Sequence, residues 1–294
     1  MTTTNKSRRL KTDIELAQEK REAAMAKLEQ GIQSLLDSGR WQQWLTMMSR
    51  LKSLSMNRYS WQNCLLVLMQ NPDATVVAGY RDWQKAGRQV RKGEKGIAIR
   101  APFTKKTGEL DEEGKEKKTT YFNLVTVFDL SQTDGEELPE LVSPLHGDDA
   151  GLYAALTRAC SKRQIPVFEE SMDFRNGYCK FDRIGERVEK IVISKNLEPL
   201  HKAKTLAHEL FHALAHKGED YAQHRELMEI EAESGAFLVL NYFGLDSSDF
   251  SIGYVTGWGN GVDAIARLKE SATCIQINSD RIINMIEEQR SLVI

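Results

Sequence analysis

Two histidines and a glutamate, His208, Glu209 and His212, are the densest group of chemically versatile side chains in the sequence, within the run AKTLAHELFHALA at 203–215. Residues four apart share one face of an α-helix, so both imidazoles can reach a single metal ion. An HExxH helix of this kind holds Zn²⁺. Glu209 stands where a carboxylate can take a proton from a water that the ion acidifies. Leu206, Leu210, Phe211 and Leu214 would pack the opposite face. The chemistry this pattern predicts is hydrolysis.

A zinc site needs a third protein ligand. A histidine six residues past the second would supply one, but that position is Gly218. The next expected helix instead offers Glu229, Glu231 and Glu233. Glu229 and Glu233 share a face, and Glu231 points elsewhere. We read Glu229 as the third ligand and Glu233 as the acceptor of a hydrogen bond from a ligand histidine; the exchange of those two roles stays open. HExxH has only three fixed positions and can arise by chance. The ExxxE pattern on a second amphipathic helix, after a strand at 190–193, argues against chance. His216 lies one more turn along and reads as a helix-end residue, and His146, His201 and His224 read as surface residues.

The elements that must position these residues are legible from periodicity. Helices are predicted at 12–37, 41–54 and from Ser60 to a stop at Asn71-Pro72. Short strands follow at 75–78, 97–99 and 121–128, with a helical turn at 80–85, a turn at 93–96 and a polar hairpin tip at 104–120. Further on come a helix at 151–164, strands at 178–184 and 187–193, and helices at about 200–217, 221–243 and 262–288. The fold class expected is α+β. It divides into an N-terminal domain at 1–128, an acidic linker at 129–150 and a zincin-like domain of helices with a small sheet at 151–294.

Charge follows the same division. Residues 41–108 hold 12 Lys/Arg against 3 Asp/Glu, residues 128–150 hold 7 acids and no Lys/Arg, and residues 151–294 hold 17 against 21. A basic first domain raises the expectation of a nucleic-acid partner. The basic region interleaves cations with aromatics. Arg58, Arg81, Lys85, Arg88, Arg91, Lys92 and Lys95 alternate with Tyr59, Trp61, Tyr80, Trp83, Phe103, Tyr121 and Phe122. Phosphate-neutralising cations beside stacking rings are what single-stranded DNA binding requires, with Tyr80 and Trp83 as stacking candidates. Many of these rings also suit a core, Trp83 with Val77 and Ile97, and a basic run is often a solvated face. No apolar segment suits a signal peptide or a membrane span, and Cys64, Cys160, Cys179 and Cys274 are scattered without a CxxC pair. A cytoplasmic location with reduced thiols, unsuited as metal ligands, is the expectation.

The segments QNPDATVVAGYRDWQKAGRQVRKGEKGIAI, VFDLSQTDGEELP and LAHELFHALAH with EIEAES resemble the ArdC family of antirestriction proteins, from about residue 40 to the last helix and including YVTGW at 254–258. The resemblance implies a single-stranded-DNA-binding N-terminal domain and a metallopeptidase-like domain similar to the ImmA/IrrE peptidases. It also implies a mobile genetic element, plasmid or phage, as carrier and protection of incoming DNA from host restriction. In those peptidases the third ligand lies in an ExxAN-type segment. Glu229, Ala232 and Glu233 correspond to it, Glu233 standing where Asn or Asp is usual. The alternative reading is a regulatory zinc endopeptidase that cleaves a repressor or restriction-system protein, with the basic domain as its targeting module.

Overall fold

The computed structural model describes residues 2–55, 58–110, 114, 116–138, 151–245 and 262–290. Its chain forms two compact units that are not contiguous in sequence. One comprises residues 1–33 and 62–138, the other residues 34–61 and 139–294. This departs from the expected division at 128, and the reason is packing. Helix α2 (Ser38–Leu54) begins where Asp37 accepts hydrogen bonds from the amides of Gly39 and Arg40. It turns Trp41, Trp44, Leu45, Met48 and Leu51 into the second unit's core. Trp41 Nε1 donates to Ser234 Oγ at 3.0 Å, and Lys52 pairs with Asp280.

The first unit contains α1 (Thr2–Ser34), most of α3 (Trp61–Gln70), β1 (Val77–Gly79) and α4 (Tyr80–Lys85), followed by β2 (Arg88–Val90), β3 (Ile97–Leu110), β4 (Glu116–Asp129) and β5 (Thr133–Gly135). β4 lies between β1 and β3, antiparallel to both, and β2 pairs antiparallel with β5. Val76, Ala78, Trp83 and Val90 form a small core against Phe128, Leu130 and Leu138. The β3–β4 hairpin is much longer than the strands predicted at 97–99 and 121–128. Pairing continues through Lys106 and Lys118, because alternating Thr and Lys suit a strand exposed on both faces. Part of the expected linker is ordered too. Asp129 caps a 3₁₀ turn at Leu130–Gln132, and β5 follows. Residues 139–150 and the YVTGW segment lie outside the described residues.

The second unit adds α5 (Leu152–Lys162), β6 (Val167–Glu170), β7 (Gly177–Phe181) and β8 (Val188–Ser194), then α6 (Pro199–Ala215), α7 (Tyr221–Tyr242) and α8 (Val262–Arg290). β8 is central, parallel to β6 and antiparallel to β7, which leaves β7 at an edge. Pro199 starts α6, and Asp220 caps α7 through the amides of Ala222 and Gln223. No helix among the described residues is long and apolar enough to cross a membrane.

α6 and α7 pack unusually close at one point. A Cβ on Gly235 would lie 2.1 Å from Cδ2 of Phe211, which is fully buried. Gly235→Ala should therefore force Phe211 or the helices to shift, with a loss of about 1–3 kcal/mol of stability. Urea unfolding of the variant against the parent checks this, and an unchanged midpoint would show that the packing tolerates a methyl group.

Candidate metal centre

α6 presents His208 and His212 one turn apart, with their Nε2 atoms 3.1 Å from each other. α7 brings Glu229 against both: its Oε2 lies 3.5 Å from His208 Nε2 and its Oε1 3.5 Å from His212 Nε2. Four bonds of about 2.0–2.1 Å in tetrahedral directions set ligand atoms about 3.3–3.4 Å apart. The three observed separations fall on either side of that value, so the donor set has the dimensions of a zinc-sized cation site. One donor atom from each of these three residues fits within 4.8 Å of the others.

The surroundings favour positive charge at this point. Burial alone would lower the pKa of His208, but Glu229 and Glu233 outweigh it and lift it to about 10. Burial would raise Glu229, yet His208, His212 and Tyr221 hold it well below the carboxylate range. Where carboxylates hold a proton this firmly they would also hold a cation. Tyr221 donates to Glu229 Oε1 at 2.6 Å and so fixes the carboxylate. Glu233 does not reach the cluster. Its Oε1 sits 3.3 Å from His208 Nδ1, off hydrogen-bond alignment, and its Oε2 accepts an ion pair from Lys204 at 2.9 Å. Despite burial its pKa is held near 2, by His208 first and then Lys204.

Glu209 is buried, and desolvation pushes its pKa up to about 7. The charge on His208 and a backbone hydrogen bond from Cys179 on β7 offset this only in part. It lines a cleft of about 680 Å³ together with His208, His212, Glu229, Tyr221 and Cys179. Gly177 makes the approach of β7 possible, since a Cβ there would lie 2.7 Å from Thr205 Cγ2. The arrangement can bind a divalent cation beside a proton-accepting carboxylate, in a cleft bordered by a strand edge.

The N-terminal domain of anti-restriction factor ArdC matches residues 15–128, and the IrrE N-terminal-like domain of the M78 peptidases matches residues 160–251. The chain thus joins a segment similar to the ArdC N-terminal domain to one similar to the IrrE N-terminal-like domain. The antirestriction protein ArdC of plasmid R388, in its metal-free structure, superposes with a TM-score of 0.53 at 22% identity, covering 82% of this chain and 92% of that one. Its Mn(II)-bound structure gives 0.53 at 21% identity, covering 90% and 97%. At that identity the likeness is one of fold. An uncharacterised pXO2-81 protein of Bacillus anthracis is 25% identical, over 80% of this chain and 47% of its own length. The chain thus spans about half the length of that curated relative.

The residues expected to bind DNA are placed unequally. Trp83 requires correction as a stacking residue: it is fully buried, with Nε1 donating to the carbonyl of Phe128 at 2.9 Å. Arg88 is committed to the fold. Nε reaches Thr133 Oγ1 at 2.8 Å, and its terminal nitrogens reach the carbonyls of Thr133, Gly135 and Glu136. Arg58 belongs to the second unit and donates to Asn284 Oδ1 at 3.0 Å. Arg91 pairs with Glu94 at 2.8 Å and Asp134 at 3.2 Å, and Lys85 pairs with Asp82 at 2.9 Å. Tyr80, Arg81, Lys92 and Lys95 are exposed. The second unit also holds two side chains at the site that the sequence did not single out, Tyr221 and Lys204. Tyr221 stands eight residues before Glu229 with a non-helical break at His224 between them, so helical periodicity gave no signal for it.

Arg88→Ala should cost about 1–3 kcal/mol of stability, because carbonyls bonded to a cation lose their partner. Chemical unfolding of the variant against the parent checks this, and an unchanged midpoint would show that Arg88 is not needed by the fold.

Proposed function

We propose that this protein protects DNA from restriction by binding single-stranded DNA through its first unit. Its second unit, in the same proposal, holds one zinc ion on His208, His212 and Glu229. The observation that carries the metal reading is the convergence of two imidazole nitrogens and a carboxylate at tetrahedral spacings. A structurally similar protein described as Mn(II)-bound supports a divalent ion, and two histidines with one carboxylate favour zinc. When bound, the ion would act as a Lewis acid that acidifies water and polarises a carbonyl. Glu209 accepts the proton and returns it to the leaving group. Glu233, held by Lys204, faces His208 Nδ1 at 3.3 Å and adds negative charge beside the ring, and Tyr221 holds Glu229. The edge of β7 that borders the cleft, paired with no other strand among the described residues, would take an extended peptide as an added strand.

For nucleic acid, the β3–β4 hairpin supplies what Trp83 cannot. Phe103 and Tyr121 are cross-strand neighbours with stacked rings 6.1 Å apart, both about 40% exposed. On the opposite face Phe122 is exposed beneath the Arg100 guanidinium at 4.7 Å. Lys105 extends the face of Phe103 and Tyr121, Lys118 extends the face of Phe122, and neither lysine forms a salt bridge among the described residues. Stacking surfaces with unneutralised cations suit a flexible single strand. Tyr80, Arg81, Lys92 and Lys95 complete the proposed surface.

A second reading is favoured by one observation, the buried Glu209 in a cleft bordered by the edge strand β7. It is a regulatory endopeptidase acting in the cytoplasm on a host repressor or restriction protein.

Two sets of variants test these readings. His208→Ala and Glu229→Ala should lose the metal, while Glu209→Gln keeps it and lowers any peptidase activity by about 10²–10⁴-fold. Metal analysis of the purified proteins checks this, and full occupancy in His208→Ala would sink the site.

Lys105→Glu with Lys118→Glu should weaken single-stranded-DNA binding and flatten its salt dependence by roughly 0.7 for each phosphate no longer neutralised, with metal content unchanged. A restriction assay in cells then ranks the two readings. Protection should follow the hairpin variant. If protection instead fails with Glu209→Gln and survives the hairpin variant, the endopeptidase reading replaces ours.

A further inference from the structure

Next to His212 lies a second buried group that no part of the proposed chemistry uses. His216 is the C-cap residue of α6 and is 7% exposed. Its Nδ1 sits 2.8 Å from Nδ1 of His212, and its Nε2 sits 2.9 Å from Oε2 of Glu231. Glu231 is also 7% exposed, and Cys274 of α8 offers its sulfur to the same group.

The hydrogen positions follow from the partners. An ionised carboxylate only accepts, so the proton between His216 and Glu231 belongs to His216 Nε2. A singly protonated imidazole then has a lone pair at Nδ1. His212 must supply the proton to that hydrogen bond from its own Nδ1. With Nδ1 protonated, His212 carries its lone pair on Nε2, the atom facing His208 and Glu229. The chain Glu231–His216–His212 thus selects the tautomer that can bind a metal and sets the plane of the ring.

We propose that His216 and Glu231 are positioning residues for the metal: a two-step buried relay that fixes His212 through its Nδ1. This rests on the metal reading given above. A ligand histidine usually donates its other ring N–H directly to a carboxylate or carbonyl. Here a second histidine extends the reach. Glu231 is thereby kept apart from Glu229 and Glu233, on a face of α7 where Cys274 and α8 bury it. The relay also explains why a histidine ends α6 in the interior when helix-end histidines ordinarily face water.

The test titrates the full-length protein with Zn²⁺ against a chromophoric chelator. Wild type should bind one ion. His216→Leu, which leaves His212 Nδ1–H without an acceptor, should weaken zinc by about 10–100-fold. His216→Asn places an amide oxygen near the position of Nδ1 and should recover most of that loss, a rescue that simple filling of space would not give. Glu231→Gln, neutral but still an acceptor, should fall between them. Melting of the metal-free proteins checks folding; if His216→Leu does not fold, His216→Asn and Glu231→Gln decide. Equal zinc affinity in every folded variant overturns the relay while leaving the metal reading intact. Two ions per chain, one of them absent from Cys274→Ala, overturns it in favour of a second metal at His216, Glu231 and Cys274. No zinc bound by wild type overturns the metal reading and the relay together.

Discussion

The packing of Phe211 against Gly235 sets how closely α6 and α7 approach, and every donor in the metal cluster depends on that approach. The two histidines ride on one helix and the glutamate on the other. Helices are stiff at this length, so their separation becomes the separation of the donor atoms. α7 spends four nearly consecutive residues on fixing its own position. Glu231 meets His216, Glu233 meets His208 and Lys204, Ser234 meets Trp41, and Gly235 admits the Phe211 ring. A helix held on several sides at once neither rotates nor slides, and this is the condition for a preorganised site.

Electrostatics and packing pull in opposite directions here. Glu209, Glu229 and Glu233 crowd two imidazoles in a largely buried space. Uncompensated carboxylates in such a place are costly. Lys204 and Tyr221 relieve Glu233 and Glu229 from one side each. What remains draws a proton onto His208, or a cation in its place. The affinity of the site for positive charge is thus a consequence of how much negative charge the fold gathers, and the identity of the donors sets which ion fits.

Much of this was legible in the sequence, for definite reasons. HExxH spacing and the ExxxE helix carry helical periodicity, and the structure gathers His208, His212 and Glu229 as that periodicity suggests. Glu233 falls behind His208, because residues four apart on α7 meet different atoms of the same ring. Trp83 could not be placed from composition, since an aromatic between cations looks alike whether buried or stacked, and only the hydrogen bond to Phe128 decides. Arg88 misled for a similar reason: a guanidinium among lysines reads as a surface charge until its carbonyl partners are visible. The assignment of α2 was hidden more deeply. Its apolar face announces a core but says nothing of which core, and its partners lie nearly two hundred residues downstream.

That distance has a consequence for how the protein is made. Trp41 and its partner Ser234 are separated by 193 positions, and Trp61 must wait for Gln276. Translation at about 5–20 residues per second leaves roughly 10–40 s between the appearance of Trp41 and of Ser234. Through that interval Trp44 can meet Trp61, but Trp41 lacks its partner on α7. The hairpin, by contrast, pairs with residues close in sequence and can close soon after it emerges. α2 is therefore a segment whose main partners, on α7 and α8, are made long after it.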